Sequence, residues 1–296
     1  MNKQLKADLM LLLVVACWGI SFYMIDLSLK EMGPFSLLAF RFVLSFLVVY
    51  VFFFKKVRTV NKKTLGYALT TSVFLAIAYT ASVYGVLYTK LTNAAFLCAL
   101  TVIFAPIFSF IFKKKRPNSK FVFVLILCIV GMGLLTLSDE LTIAVGDLYC
   151  LVCAMSFSIN LLIIETAVSK EDVDAFNMGV YVIGIVGLIM LVCAFLFEEP
   201  TLPQTPAVWG AALFLSILCT GVATIVQAIA QQYTSASHVG LIYTLEPVFA
   251  AIIAYLLAGE VLLVRGYIGA SMMVLSILIM EIDFKKMVSK PKPSAD

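Results

Sequence analysis

The chain has 296 residues, of which 62% are hydrophobic and 13% charged, and its mean hydropathy is +1.07. Soluble domains are roughly 45–50% apolar and about 25% charged, so this composition lies outside the range of soluble globular enzymes. The net charge is +4, but the basic residues stand in short runs between apolar segments, which is typical of membrane topology rather than of a nucleic-acid partner. We therefore expect a protein that lies almost entirely in the lipid bilayer and binds no nucleic acid.

Ten apolar runs follow one another along the chain, each close to the roughly 20 residues that cross a bilayer core as a helix. They lack the alternating pattern of a membrane barrel strand, and backbone amides in hydrocarbon need partners within their own segment. The sequence therefore predicts an all-α membrane protein with ten transmembrane helices. The predicted spans are 7–28, 34–54, 65–88, 92–112, 120–138, 146–168, 175–197, 207–232, 234–258 and 264–282.

The basic residues are distributed unevenly between the two sides of these spans. Connections on one side, together with both termini, carry 17 of the 21 Lys and Arg residues, whereas the other side carries Lys30, Lys90 and Arg265. Because positively charged loops stay in the cytoplasm, we expect both termini to be cytoplasmic. Arg41 is then the one basic residue within a span. The expected location is the bacterial cytoplasmic membrane.

The two halves of the sequence resemble each other. Thr92-Asn93-Ala94-Ala95 precedes Pro106, and Thr234-Ser235-Ala236-Ser237 precedes Pro247 at a spacing that differs by one residue. Trp18 and Phe157 likewise follow an Asp-Leu pair at the same distance. The pattern predicts two five-helix repeats, 1–140 and 141–284, followed by a short basic tail, 285–296. An odd number of spans inverts the second repeat, an arrangement suited to alternating access.

The segment Leu245-Glu246-Pro247-Val248-Phe249-Ala250-Ala251, followed by Gly259-Glu260, resembles the EamA-type transporters of the drug/metabolite transporter superfamily. Trp18-Gly19 and Arg41 add to the resemblance, which covers essentially residues 7–282. The first half departs from the motif because Ala105 precedes Pro106. The resemblance implies a ten-helix carrier that moves small organic metabolites, often outward, through a central cavity formed by spans one to four and six to nine.

Glu246 is the most deeply placed acidic residue, about twelve residues from either end of the ninth span. Ionisable groups at this depth are costly, which makes the carboxylate a functional candidate. Pro106 and Pro247 remove backbone donors near the middle of their spans and predict helix kinks that free carbonyls for a cavity. The alternative is that both prolines only shape helix packing.

Several polar and aromatic residues at intermediate depth are candidates for a cavity wall. Such a mixture suits an amphipathic organic solute, although packing or interfacial anchoring is an equal alternative for any single residue. We expect Arg41 and Glu246 to face one cavity and to interact directly or through water or substrate. The alternative for Arg41 is an outward side chain bound to a phosphate or carbonyl. The candidate wall residues are Trp18, Ser21, Arg41, Tyr79, Tyr84, Asn160, Gln227, Tyr243 and Glu246.

Glu165 and His238 are candidates for gating or coupling, because each lies near the cytoplasmic end of its span. The alternative is a purely structural role for both. Glu246 is a third coupling candidate, either trading a proton for substrate or simply binding an amino group or stabilising the kinked helix.

Motifs for cofactor and metal chemistry are absent from the sequence. No G-x-x-x-x-G-K loop occurs, and Cys150 and Cys153 lack the His or second Cys pair of a zinc site. The sequence therefore predicts a secondary transporter, an exporter of small organic metabolites such as amino acids, without cofactor or metal, as a monomer or homodimer. The alternatives are a non-transporting receptor or assembly partner, and an intramembrane lipid-modifying enzyme with Glu246 or Glu165 as acid/base.

Overall fold

The computed structural model describes residues 3–114, 116–136, 144–258 and 263–281. These residues form helices and short connections, with no strand among them, so the all-α prediction is confirmed. The helices are α1 (Lys3–Trp18), α2 (Ser21–Ser28), α3 (Pro34–Val57), α4 (Lys62–Tyr88), α5 (Leu91–Ala99), α6 (Thr101–Lys113), α7 (Ser119–Thr136), α8 (Val145–Val168), α9 (Ala175–Phe197), α10 (Pro206–Ser216), α11 (Ala223–Ala230), α12 (Ala236–Tyr243), α13 (Glu246–Ala258) and α14 (Val264–Glu281), with a π-helical segment, Ile217–Val222, between α10 and α11.

Eight helical stretches within the described ranges are long and apolar enough to cross a membrane. Two further apolar helices, Ser119–Leu135 and Val264–Met280, are shorter. Their predicted spans, 120–138 and 264–282, extend past the described residues, and the tail 285–296 lies outside them altogether. The eight stretches are Lys3–Ser28, Pro34–Phe52, Lys62–Tyr88, Asn93–Lys113, Val145–Val168, Ala175–Phe197, Pro206–Ala230 and Ala236–Ile253.

Three predicted spans consist of two helices rather than one. The first span is interrupted between Trp18 and Ser21, the fourth at Leu100, and the ninth at Thr244 and Leu245. The break before Pro247 agrees with the predicted kink, because proline clashes with the carbonyl four residues earlier and ends the helix there. In the fourth span the break precedes Pro106 by six residues, and the proline itself lies inside α6.

The longest helices pack in pairs. Helix α3 packs along α9, α4 along α8, and α7 along α14. In the last pair the two backbones touch at Gly131 and Gly269, where a Cβ atom on Gly269 would lie 2.3 Å from the Gly131 carbonyl oxygen. Any side chain at either position would force α7 and α14 apart. Neither helix contributes a described residue to the cavity discussed below.

We call the end of the bundle where α1 begins the near end, and the end where α2 stops and α3 begins the far end. Carboxylates tie helices together at the far end. The two oxygens of Glu198 accept hydrogen bonds from the Phe35 and Ser36 amides, at 2.9 and 3.0 Å, and so cap α3. Glu31 accepts bonds from the Thr205 hydroxyl and the Gln204 amide, which hold the pKa of its carboxyl below the usual value.

Candidate functional site

A cavity lies in the middle of the bundle and extends towards the far end. Helices α1 to α6, α8, α12 and α13 all contribute to its wall. Six of the nine predicted wall residues line it. They are Trp18, Ser21, Arg41, Tyr79, Tyr243 and Glu246.

Glu246 is the first residue of α13 and enters the cavity where the ninth span is interrupted. The side chain is half-buried, and its carboxylate has no hydrogen bond or ion pair within the described part of the chain. Gly19 lies against the same helix, since a Cβ atom on this glycine would be 2.6 Å from the Phe249 Cβ. The glycine thus lets the break between α1 and α2 approach the start of α13, so two interrupted helices meet at the cavity.

Arg41 on α3 is 2% exposed and points into the interior of the bundle. Its Nε donates to the Thr220 hydroxyl and its Nη2 to the Cys219 carbonyl, 3.4 Å away. The guanidinium carbon lies 4.8 Å from the centre of the Tyr79 ring, a cation–π distance. Arg41 therefore matches neither expectation fully. Its side chain stays within the bundle rather than at the membrane surface, and its partners there are Thr220 and Cys219.

Arg41 and Glu246 line the same cavity, as expected, but they do not touch. No nitrogen of Arg41 lies within 4.0 Å of a Glu246 oxygen. The physical reason is that Arg41 donates instead to the Thr220 hydroxyl and the Cys219 carbonyl of the π-helical segment. The expectation that they interact directly is therefore wrong, whereas interaction through water or substrate stays a prediction.

The π-helical segment supplies acceptors that a regular α-helix would keep for itself. The Cys219 carbonyl accepts from the Trp18 indole N–H at 2.9 Å in addition to Arg41. The Thr220 hydroxyl donates to the Leu215 carbonyl at 2.9 Å, and the Ser45 hydroxyl donates to the Ser216 carbonyl. Single π-helical turns inside α-helices occur often at functional sites. The apolar pattern of the eighth span, 207–232, predicts a continuous helix and does not indicate this segment.

Three aromatic rings form one wall of the cavity. The ring centres of Trp18 and Tyr243 are 4.8 Å apart, those of Trp18 and Phe157 5.9 Å, and those of Phe157 and Tyr243 6.2 Å. The Tyr243 hydroxyl donates to Gln227 Oε1 at 3.1 Å, and Gln227 in turn donates to Gln231. Gln227 therefore lies behind the wall and positions Tyr243, rather than lining the cavity as predicted.

Tyr84 and Asn160 also lie away from the cavity. Tyr84 follows Tyr79 by five residues, which places it about 140° around α4, where it packs against Tyr88 and Tyr149. Asn160 is fully buried between α8 and α4, and its Nδ2 donates to the Thr71 carbonyl at 3.4 Å. Residue type and depth make both residues candidates for the cavity wall, but neither property indicates which face of the helix is turned towards the cavity.

The structure adds wall residues that the sequence did not single out. Phe157 had a usable signal, because it occupies in the second half the position of Trp18 in the first. Cys98 and Cys153 also reach the cavity. Within the described ranges, no group of three His, Cys, Asp or Glu residues is arranged to hold a metal ion. The added residues are Phe22, Ile25, Ala78, Ser82, Cys98, Ala99, Thr101, Cys153, Phe157 and Gly240.

Glu165 and His238 lie at the near end, outside the cavity. Glu165 forms an ion pair with Lys113, with 3.0 Å between Nζ and Oε2, and accepts a hydrogen bond from the Ala236 amide at 3.3 Å. His238 Nε2 lies 3.2 Å from Asp8 Oδ1, and both side chains are less than 10% exposed. These contacts join α6, α8, α12 and α1, so the near end of the bundle is closed by polar groups.

Helices of membrane-spanning length around a cavity with charged and aromatic walls define a multi-pass membrane protein of the transporter class. The chain belongs to the EamA-like transporter family, whose model matches residues 5–137 and again residues 144–282. This family is part of the drug/metabolite transporter superfamily, as the motif around Glu246 predicted.

Curated relatives carry the same description. The chain is 29% identical to an uncharacterized transporter of Archaeoglobus fulgidus over 282 residues, which cover 95% of this chain and 87% of the relative. A second transporter of that organism is 27% identical over 86% of this chain and 90% of the relative. One from Clostridium kluyveri is 22% identical over 84% and 83%.

A solved crystal structure has the same fold. It superposes with a TM-score of 0.78 at 16% sequence identity, covering 96% of this chain and 99% of the other. At this identity the likeness concerns the arrangement of the helices.

Proposed function

We propose that the protein is a secondary transporter that exports small organic metabolites, such as amino acids, by alternating access around the central cavity. The observation that carries this proposal is Glu246, a carboxylate that faces a cavity with aromatic walls and has no hydrogen bond or ion pair among the described residues. Within a membrane such a group is costly unless a ligand, water or ion completes its surroundings. Family membership supports transport in general, and the cavity supports a small organic solute.

The proposal includes ten membrane helices in two inverted repeats, 1–140 and 141–284, with both termini and the tail 285–296 in the cytoplasm. The double match of the family model supports it. The two shorter apolar helices, at 17 residues each, reach the lower limit of a span, about 26 Å. Packing of α3 against α9 and of α7 against α14 pairs spans that correspond in the two repeats.

In this scheme the near end is cytoplasmic, and the described conformation is closed there. The cavity extends towards the far end because its lining includes Ile25 in α2 and Cys153 in the first half of α8. Opening to the cytoplasm requires the Lys113–Glu165 ion pair and the contact between His238 and Asp8 to separate. Glu165 and His238 then act as parts of a cytoplasmic gate.

Counterflow in liposomes tests the proposed function. Purified protein is reconstituted with an unlabelled solute inside, and uptake of the labelled solute is followed for a panel of amino acids, nucleobases and amines. We expect saturable exchange of at least one class, with protein-free liposomes as the control. Absence of both exchange and binding across the panel would remove the support for a carrier.

The orientation is tested by cysteine labelling. Single cysteines are introduced at Asn61, Asn118 and Gln204, each of which is exposed in the structure. With a membrane-impermeant maleimide, we expect labelling at the first two from the cytoplasmic side only and at Gln204 from the outside only. The parent protein reports the reaction of the seven native thiols. Labelling of all three positions from one side contradicts the inverted arrangement.

A further inference from the structure

The two charged side chains in the cavity wall differ in their hydrogen bonding. Arg41 uses Nε and Nη2 for hydrogen bonds to Thr220 and Cys219, and the face of its guanidinium lies against Tyr79. Glu246 has no such partners within the described ranges. Part of the Arg41 guanidinium is therefore engaged by the protein, whereas the Glu246 carboxylate faces the contents of the cavity.

The polar hydrogens of the aromatic wall are also occupied. Trp18 donates its indole N–H to the Cys219 carbonyl, and Tyr243 donates its hydroxyl to Gln227. Two strong donors that would serve an anionic ligand thus point into the protein. The same rings leave apolar surface and π-electron density to the cavity, and π faces attract cations.

From this distribution of charge we propose that the cavity binds organic cations, with an ammonium group near Glu246 and an apolar body among Trp18, Phe157 and Tyr243. The inference rests on the proposed function and narrows its substrate class. A carboxylate on the ligand adds little to binding, because Nε, Nη2 and one face of the Arg41 guanidinium are already engaged by the protein. An amine therefore binds at least as tightly as the amino acid with the same side chain.

Binding to the purified full-length protein in detergent tests this. The chain has two tryptophans, and Trp209 lies outside the cavity against Phe40, so Trp209→Phe leaves Trp18 as the single tryptophan, which is excited selectively over the tyrosines. Its emission is titrated with phenethylamine, phenylalanine and 3-phenylpropionate, which share one ring and differ in charge. Hexylamine serves as an amine without the ring.

We expect saturable binding of phenethylamine, no tighter binding of phenylalanine, and at least about tenfold weaker binding of 3-phenylpropionate. Glu246→Gln should weaken the binding of phenethylamine by at least about tenfold. Glu171→Gln, an exposed carboxylate near α9, is the matched control and should leave binding unchanged.

Phenylalanine binding more than about tenfold tighter than phenethylamine would overturn the inference and assign Arg41 a direct role with the ligand carboxylate. Binding of 3-phenylpropionate equal to that of the amine would overturn it as well. So would the absence of binding by both phenethylamine and hexylamine. In each case, exchange of an anionic, zwitterionic or uncharged solute in liposomes would show that the carrier function stands and that only the preference for cations is wrong. Absence of exchange across the whole panel would contradict both the carrier function and the preference for cations.

Discussion

Replacing Arg41 with alanine is expected to lower the free energy of unfolding by about 3 kcal/mol, the upper range for loss of hydrogen bonds to a charged group. The change leaves the Thr220 hydroxyl without its donor, removes one of two donors to the Cys219 carbonyl, and opens a void beside Tyr79. Thermal unfolding in detergent measures the effect. A loss of this size corresponds to a melting temperature lower by roughly 6–12 °C.

Two further variants make the Arg41 result specific. Arg58→Ala removes an exposed guanidinium just beyond the end of the same helix and should leave the melting temperature unchanged. Arg41→Lys should not restore stability, because an ammonium group lacks the planar fork and the stacking surface. A melting temperature of Arg41→Ala equal to that of the parent protein would show that the π-helical segment does not depend on this side chain.

Glu246→Gln is expected to reduce the initial rate of counterflow by about 100-fold, the effect of losing roughly 3 kcal/mol of charge-assisted binding. Glutamine has nearly the same shape as glutamate, so the wall stays intact while the negative charge of Glu246 disappears. The rate is measured in liposomes with labelled solute, and the melting temperature reports whether the fold is preserved.

Glu171→Gln provides the control for Glu246→Gln, since it removes an exposed carboxylate outside the cavity and should transport at the parent rate. An unchanged rate in Glu246→Gln would show that the carboxylate takes no part in transport. A solute-driven pH change inside the liposomes that persists unchanged in this variant would rule out a proton-coupling role.

The features predictable from sequence are those that a residue determines by its own chemistry. Long apolar runs become membrane helices because their amides have no other partners, and Pro247 disfavours a continuous ninth helix because proline lacks a backbone donor and clashes with the preceding turn. The π-helical segment depends instead on contacts with Ser45, Arg41 and Trp18, which lie more than 150 residues away along the chain. A pattern read along one span contains no information about such partners.

The same distinction explains the candidate site. Residue type and depth identified Glu246 and Arg41, because charges within a membrane are rare. They did not distinguish Tyr79 from Tyr84, since the facing side of α4 is set by packing against the neighbouring helices. They also did not show that Gln227 acts through Tyr243, which requires the position of α11 behind α12.

The carbonyl of Cys219 joins two opposite parts of the cavity wall, because Trp18 of α1 and Arg41 of α3 both donate to it. A shift of the π-helical segment therefore moves an aromatic and a charged part of the wall together. The acceptor belongs to the main chain, which every amino acid shares. A substitution that fits the buried space of the Cys219 side chain, such as Cys219→Ala, therefore leaves this connection between the two walls in place.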